Sequence, residues 1–202
     1  MSNSCYTVNL RRTLDVNDSA YMGECVLREL LDEFNCPPNL EVERFLKRSS
    51  LEFTKKNQSV TYLTFRNAPE GDLFVGYFTL AVKPISIKAS SLSKTMRRKI
   101  ERVSVLNPAN DTYTASAYLI AQLGKNFALS KNERINGTDL LELASSRIER
   151  TQYDIGGVVE FLECEDNSFL LDFYAKNGFK MFDRRITDEE EPEELIQLLR
   201  FI

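Results

Sequence analysis

Hydrophobic positions change period several times along the chain, and each change marks a predicted element. In CYTVNLRRTL, residues 5–14, Tyr6, Val8 and Leu10 alternate with Thr7, Asn9 and Arg11, and a period of two predicts a strand. DVNDSAYMGECVLRELLDEF, residues 15–34, switches to helical spacing at Leu27, Leu30, Leu31 and Phe34, with Asn17, Asp18 or Ser19 as N-cap. NCPPN stops that helix, because neither proline donates a backbone bond. A second amphipathic helix is predicted over residues 41–57, EVERFLKRSSLEFTKKN, burying Val42, Phe45, Leu46 and Phe53.

Two β-rich runs follow, SVTYLTFR (59–66) and LFVGYFTLAVK (73–83), and the Pro and Gly of the intervening NAPEGD make them an antiparallel hairpin. After a polar, basic stretch, YTASAYLIAQLGKNF (113–127) predicts a long strand. The loop ALSKNERING then leads into a helix over 138–152 with Leu140, Leu141, Ala144 and Ile148 on one face. GVVEFLECE (157–165) is a predicted strand, SFLLDFYAK (168–176) a helix, FKMFDRRI (179–186) a strand, and LIQLLRFI (195–202) a strand or helix. This order, without repeats or linkers, predicts one α+β domain over 1–202. Its parts are an N-terminal strand and helices (1–58), a core (59–186), and an acidic loop with a C-terminal element (187–202).

The 202 residues are 43% hydrophobic and 28% charged, enough apolar material for a sizeable core. No apolar run approaches the roughly 20 residues of a membrane span, and MSNSCYTVNLRRTL has no signal-peptide character, so a cytoplasmic protein is expected. Cys5, Cys25, Cys36 and Cys164 are scattered, which predicts reduced thiols with neither a disulfide frame nor a structural zinc site. The absence of histidine excludes Ser-His-Asp and Cys-His triads and histidine general bases. Chemistry must therefore run on carboxylates, Tyr, Lys, Cys, backbone dipoles or a bound cofactor.

A net charge of −4 argues against wholesale electrostatic binding of nucleic acid, yet the charge is uneven. The segment 83–102 carries Lys83, Lys88, Lys94, Arg97, Arg98, Lys99 and Arg102 against Glu101 alone. TDEEEPEE, with Asp188, Glu189, Glu190, Glu191, Glu193 and Glu194, reads as a solvated loop. The glycine-bearing loop between the long strand and the helix at 138 offers free backbone N–H groups, a feature that suits a phosphate.

DNSFLLDFYAKNGFKMF, residues 166–182, places Asn167, Leu170, Phe173, Tyr174, Lys176, Gly178 and Phe179 at the spacing of the last motif of the GCN5-related N-acetyltransferases, and the chain resembles that superfamily from about residue 60 to 185. The resemblance implies a mixed, mostly antiparallel central sheet with splayed central strands flanked by helices. It implies acetyl-CoA as cosubstrate, no metal, and direct acetyl transfer to an amine without a covalent enzyme intermediate. It assigns Tyr174 as the acid that protonates the departing thiolate, and Asn167, Phe173 and Lys176 to cofactor contacts. The strand end at Leu123, Gly124 and Lys125 would supply a backbone N–H to the oxyanion. Asn132, Arg134, Ile135, Asn136, Gly137 and Thr138 stand in place of the pyrophosphate loop, with Ile135 where the family has its first Gly. Glu163 and Glu165, on one face of their strand, are the candidates for general base.

The front half, with EFNCPPNLEVERFLKRSS and FVGYFTL followed by the basic segment, is similar to bacterial toxin acetyltransferases that block the amino group of aminoacyl-tRNA. That narrower likeness implies tRNA as acceptor, docked by clustered Lys and Arg, and an inhibitory protein partner. A small-molecule or protein amine as acceptor, a homodimer, and a non-enzymatic acyl-CoA-binding or interaction module on the same fold stay open.

Overall fold

The computed structural model describes residues 5–187 and 192–202, so Asp188, Glu189, Glu190 and Glu191 of the acidic block lie outside the described residues. The strands are Cys5–Asn9 (β1), Val60–Arg66 (β2), Leu73–Lys88 (β3), Thr112–Lys125 (β4), Val159–Glu165 (β5), Lys180–Ile186 (β6) and Glu194–Phe201 (β7). They form a seven-stranded sheet of order β1-β2-β3-β4-β5-β7-β6. The β1–β2, β2–β3, β5–β7 and β6–β7 pairs are antiparallel. The β4–β5 pair is parallel, with a register of only Tyr118↔Glu160 and Leu119↔Phe161. The helices are Leu10–Leu14 (α1), Glu24–Asp32 (α2), Leu40–Arg44 (α3), Ser50–Lys55 (α4), Lys94–Ile100 (α5), Gly137–Ile155 (α6) and Ser168–Lys176 (α7). The last segment, 195–202, is thus a strand.

The strand expected over 73–83 runs on to Lys88 and the helix expected over 138–152 to Ile155, and three other boundaries differ from the sequence expectation through a local polar or backbone cause. The first strand ends at Asn9, whose side chain accepts the Arg11 N–H at 2.9 Å and caps α1. The helix expected from residue 15 begins only at Glu24. Asp15 and Asp18 take the N–H groups of Asn17 and Ala20 and fold 15–22 into turns, and Gly23 enters the helix at a φ of 79°. The helix over 41–57 is interrupted by a π turn at Phe45–Ser49. One extra residue in a turn rotates the face behind it by about 100°. Phe53 is therefore 40% exposed rather than buried, and Leu51, at 2%, takes the inward position.

The chain packs as two compact units, Met1–Ala81 with Ala121–Ala144, and Val82–Ile120 with Ser145–Ile202. In the first, Leu10, Leu27, Leu31, Leu46, Leu51 and Leu63 form a core with Phe34, Phe74 and Tyr77, so α1 to α4 pack on the β1–β2–β3 meander. In the second, Ile85, Ile87, Tyr113, Ala115, Val159 and Phe161 form a sheet face against which Met96 and Ile100 of α5 pack.

Candidate active site

In the first unit, β4 ends in a tightly packed turn of chain. A Cβ on Gly124 would lie 2.5 Å from Val42 Cγ1 and 3.0 Å from Tyr77 Cε1, and one on Gly76 would lie 2.6 Å from the Gly124 carbonyl oxygen. Only glycine lets β3 and the end of β4 approach this closely. Leu123 and Lys125 beside it are half-buried, and the Lys125 ammonium sits 5.6 Å over the Phe127 ring. Asn126, which sequence reasoning missed, is the latch of this corner. It is 3% exposed, donates to the Phe74 carbonyl at 2.9 Å, and accepts the N–H groups of Asn35 and Ala128 at 3.1 and 3.0 Å.

The loop that follows is braced from within. Arg134 donates to the carbonyls of Leu129 and Phe127 at 3.0 and 3.2 Å and stacks on the Phe127 ring at 4.7 Å. Glu133 accepts from the Ser130 hydroxyl at 2.7 Å, and Arg66 holds the Glu133 carbonyl at 2.8 Å. Ile135 points into the interior at 2% exposure, whereas Asn132 is exposed. Asn136 caps α6, taking the Thr138 N–H on its side chain and the Leu140 N–H on its carbonyl, with Gly137 between. Arg134 is thus a brace of the loop, and the backbone N–H groups at the start of α6 are its electropositive feature.

In the second unit, Asn167 is the exposed N-cap of α7, accepting the Phe169 N–H at 2.9 Å. Two turns later Tyr174 is 9% exposed, its ring edge-on to Phe173 at 5.0 Å and to Phe179 at 5.9 Å. Its hydroxyl has no hydrogen-bond partner among the described residues. Burial, and then the neighbouring Cys164, push its pKa far above the ordinary tyrosine range, so it stays protonated at neutral pH. Burial and the Glu165 and Asp166 carboxylates raise the Cys164 thiol to about 11, so it is not a thiolate nucleophile at neutral pH. Gly178 closes α7 at a φ of 86°, which lets Phe179 turn back under Tyr174, its N–H on the Tyr174 carbonyl at 3.0 Å. Phe173 is half-buried and Lys176 exposed.

The two carboxylates of β5 have different surroundings. Burial raises the Glu163 pKa, but bonds from Arg185 at 2.7 Å and Gln197 at 2.7 Å outweigh it and leave the group below the ordinary carboxylate range. Glu165 is exposed and carries no ion pair among the described residues. Sequence reasoning also missed Glu160, fully buried at 0%, bonded to Arg200 and 3.4 Å from the Ser145 hydroxyl. A lone acid inside the apolar GVVEFL was the available signal, since buried charge demands a partner. Burial raises its pKa, and Arg200 opposes that only in part.

The basic segment becomes the tail of β3, a short 3-10 turn and α5, whose start is capped by Ser93. Met96 and Ile100 point inward, while Lys83, Lys88, Lys94, Arg97, Arg98, Lys99 and Arg102 are all exposed. Arg97 donates to the Ala89 carbonyl and Lys99 lies over the Phe201 ring, but none of the seven forms a salt bridge among the described residues. Among the described residues there is no cluster of three metal-ligating side chains, and no helix is long and apolar enough to cross a membrane.

No protein-family model and no curated protein matches the chain. Solved structures do. AtaT complexed with acetyl-methionyl-tRNAfMet is 16% identical, with a TM-score of 0.62 over 96% of this chain and 94% of that one. AtaTR bound with AcCoA is 16% identical, with a TM-score of 0.57 over 98% and 92%. A tyrosine-to-phenylalanine mutant of KacT is 18% identical, with a TM-score of 0.57 over 82% and 85%. At such identities the likeness speaks to architecture, and together with the strand order it shows that this chain has the GCN5-related N-acetyltransferase fold in the form found in AtaT and KacT.

Proposed function

We propose that the protein is an acetyl-CoA-dependent N-acetyltransferase whose acceptor is the amino group of an aminoacyl-tRNA. The observation that carries the chemistry is Tyr174, a mostly buried side chain whose hydroxyl has no partner among the described residues, held protonated and set by the Gly178 turn. In the proposed reaction the free amine attacks the thioester carbonyl. As the C–S bond breaks, Tyr174 shares its proton with the leaving sulfur. The burial that raises the Tyr174 pKa raises that of a thiolate beside it too, so the transfer is not between badly mismatched groups. Glu165 is the proposed acceptor of the proton that the attacking ammonium must lose. Balanced over the cycle, the amine proton is released and CoA leaves as the thiol. The phosphates are assigned to the N–H groups at the start of α6.

The choice of tRNA is supported by the seven exposed basic residues that no carboxylate neutralises among the described residues, and by the tRNA bound to AtaT. Calorimetric titration with acetyl-CoA and with CoA tests the first part, and saturable one-to-one binding is expected. No binding at millimolar concentration would leave an interaction module on the same fold. The second part is tested by acetylation of total aminoacylated tRNA. Charge reversal at Arg97 and Arg98 should weaken activity and reduce its salt dependence by about one unit of log–log slope per lost phosphate contact. Unchanged activity would remove this basic face from tRNA docking, and no acetylation of the tRNA pool by wild type would sink tRNA as acceptor.

A further inference from the structure

We propose that Arg200 is a positioning residue for Tyr174, with Glu160 as its anchor; the proposal rests on the reading of Tyr174 as the general acid. Arg200 stands directly opposite Glu160 in the β5–β7 register. Its guanidinium reaches three elements at once. Nε bonds the Glu160 carboxylate on β5, Nη2 donates to the Ser145 hydroxyl of α6 at 2.7 Å, and Nη1 donates to the Asn177 carbonyl at the end of α7 at 3.0 Å. The same group lies 5.0 Å over the Phe179 ring, and its Cδ would be 3.3 Å from a Cβ on Gly178.

Asn177, Gly178 and Phe179 are the residues that turn the chain back beneath Tyr174. Asn177 also ties itself to the helix through its side-chain amide on the Phe173 carbonyl at 2.8 Å. A cation at the C-terminal carbonyls of a helix is electrostatically favoured there, and the flat face of the guanidinium fits the Phe179 ring. Arg200 therefore fixes the last turn of α7 from one side, and the edge contact of Phe179 transmits that position to the Tyr174 ring.

Stability alone does not account for the arrangement. Two apolar side chains would join β5 to β7 without desolvating a carboxylate, whereas here Glu160 is fully buried and its Oε2 has no partner among the described residues. What an apolar pair could not do is reach a carboxylate, a hydroxyl and a helix-terminal carbonyl from one strand position.

The test uses the full chain labelled with fluorotyrosine, in which the Tyr174 resonance is identified by its loss in Tyr174→Phe. Arg200→Gln should shift or broaden the Tyr174 signal and leave that of Tyr77, in the other unit, in place. With total aminoacylated tRNA as acceptor, it should lower kcat by about tenfold or more while KM for acetyl-CoA stays within about twofold. Arg200→Lys, which keeps the charge beside Glu160 but offers one nitrogen, should fold if Arg200→Gln does not and should show the same pattern in milder form. In the Tyr174→Phe background either change should cost nothing further in kcat. An unmoved Tyr174 signal, or an equal loss of kcat in both backgrounds, would overturn the positioning role. Full turnover by Tyr174→Phe alone would instead overturn the general-acid reading, and the Tyr174 resonance would then decide whether Arg200 sets that side chain at all.

Discussion

Replacing Tyr174 by Phe should leave stability nearly unchanged and lower turnover. The ring keeps its edge contacts with Phe173 and Phe179, so apolar packing is unchanged. The hydroxyl that is removed has no partner among the described residues, so no donor or acceptor is orphaned. The hydroxyl is not among the fully buried polar atoms left without a partner, so it keeps access to water and its removal should change stability by no more than about 0.5 kcal/mol. The melting temperature of the ligand-free variant should therefore stay within about 2 °C of wild type, on the scale for a chain of this size. Turnover should fall by about 10²–10⁴, the ordinary contribution of a positioned general acid. Scanning calorimetry at pH 7, acetyl-CoA titration and single-turnover acetylation measure the three quantities on one preparation. A melting temperature several degrees lower would mean that the hydroxyl is bonded in the native state and is not a poised donor. Unchanged turnover, with binding intact, would remove Tyr174 from the chemistry.

Three further outcomes follow from the packing and the charges. Asn126→Ala orphans the Asn35 N–H and the Phe74 carbonyl, and at about 1–3 kcal/mol per buried group it should cost roughly 3 kcal/mol in urea denaturation; a loss below ~1 kcal/mol would show that water replaces the latch. Gly124→Ala drives a methyl into Val42 and should cost about 1–3 kcal/mol by overpacking, with much of that recovered when Val42→Ala is added. Glu163 titrates below its ordinary value of 4.5 in the fold, so its ionised form stabilises the protein above that pH and the contribution fades as pH falls through the folded value. Wild type should accordingly be more stable than Glu163→Gln at pH 7, and their urea midpoints should converge in acid; a gap that persists at acid pH would mean that the Arg185 pair is not its source.

The parts of the fold governed by one local signal were legible in the sequence. Leu140, Leu141, Ala144 and Ile148 mark one face of α6, and all four are buried at 1% or less. The spacing from Asn167 to Tyr174 corresponds to an N-cap and a buried ring two turns on. What escaped was set by competition between backbone and side chain. Nothing in EVERFLKRSS announces an extra residue in the turn at Phe45–Ser49, so helical spacing alone puts Phe53 inside. Asp15 and Asp18 look like helix caps until their carboxylates are seen closing turns of their own. Long-range polar contacts are the other blind spot. Glu160 and Arg200 stand 40 residues apart, and only the antiparallel register of β5 and β7 makes them neighbours.

Residues 132–138 depart from the pyrophosphate-loop pattern of the superfamily that the chain resembles, and the departure has a physical counterpart. A glycine at position 135 would leave the loop with more unfolded and unbound conformations to lose, while Ile135 is anchored in the interior at 2% exposure. Around it Arg134, Arg66, Glu133 and Ser130 hold the loop's carbonyls, N–H groups and hydroxyls through bonds of the chain itself. A flexible glycine loop gains its phosphate contacts by ordering itself on binding, and part of the interaction energy is consumed in that ordering. A braced loop has less to order. Losing the glycine therefore removes the freedom of the backbone to wrap around an anion, but it also removes an entropic penalty, and the N–H groups that open α6 are unaffected by either change. Two nitrogens of Arg134 already serve the loop itself. What the segment still offers an anion is the exposed Lys131 and the backbone dipoles at the start of a 19-residue helix.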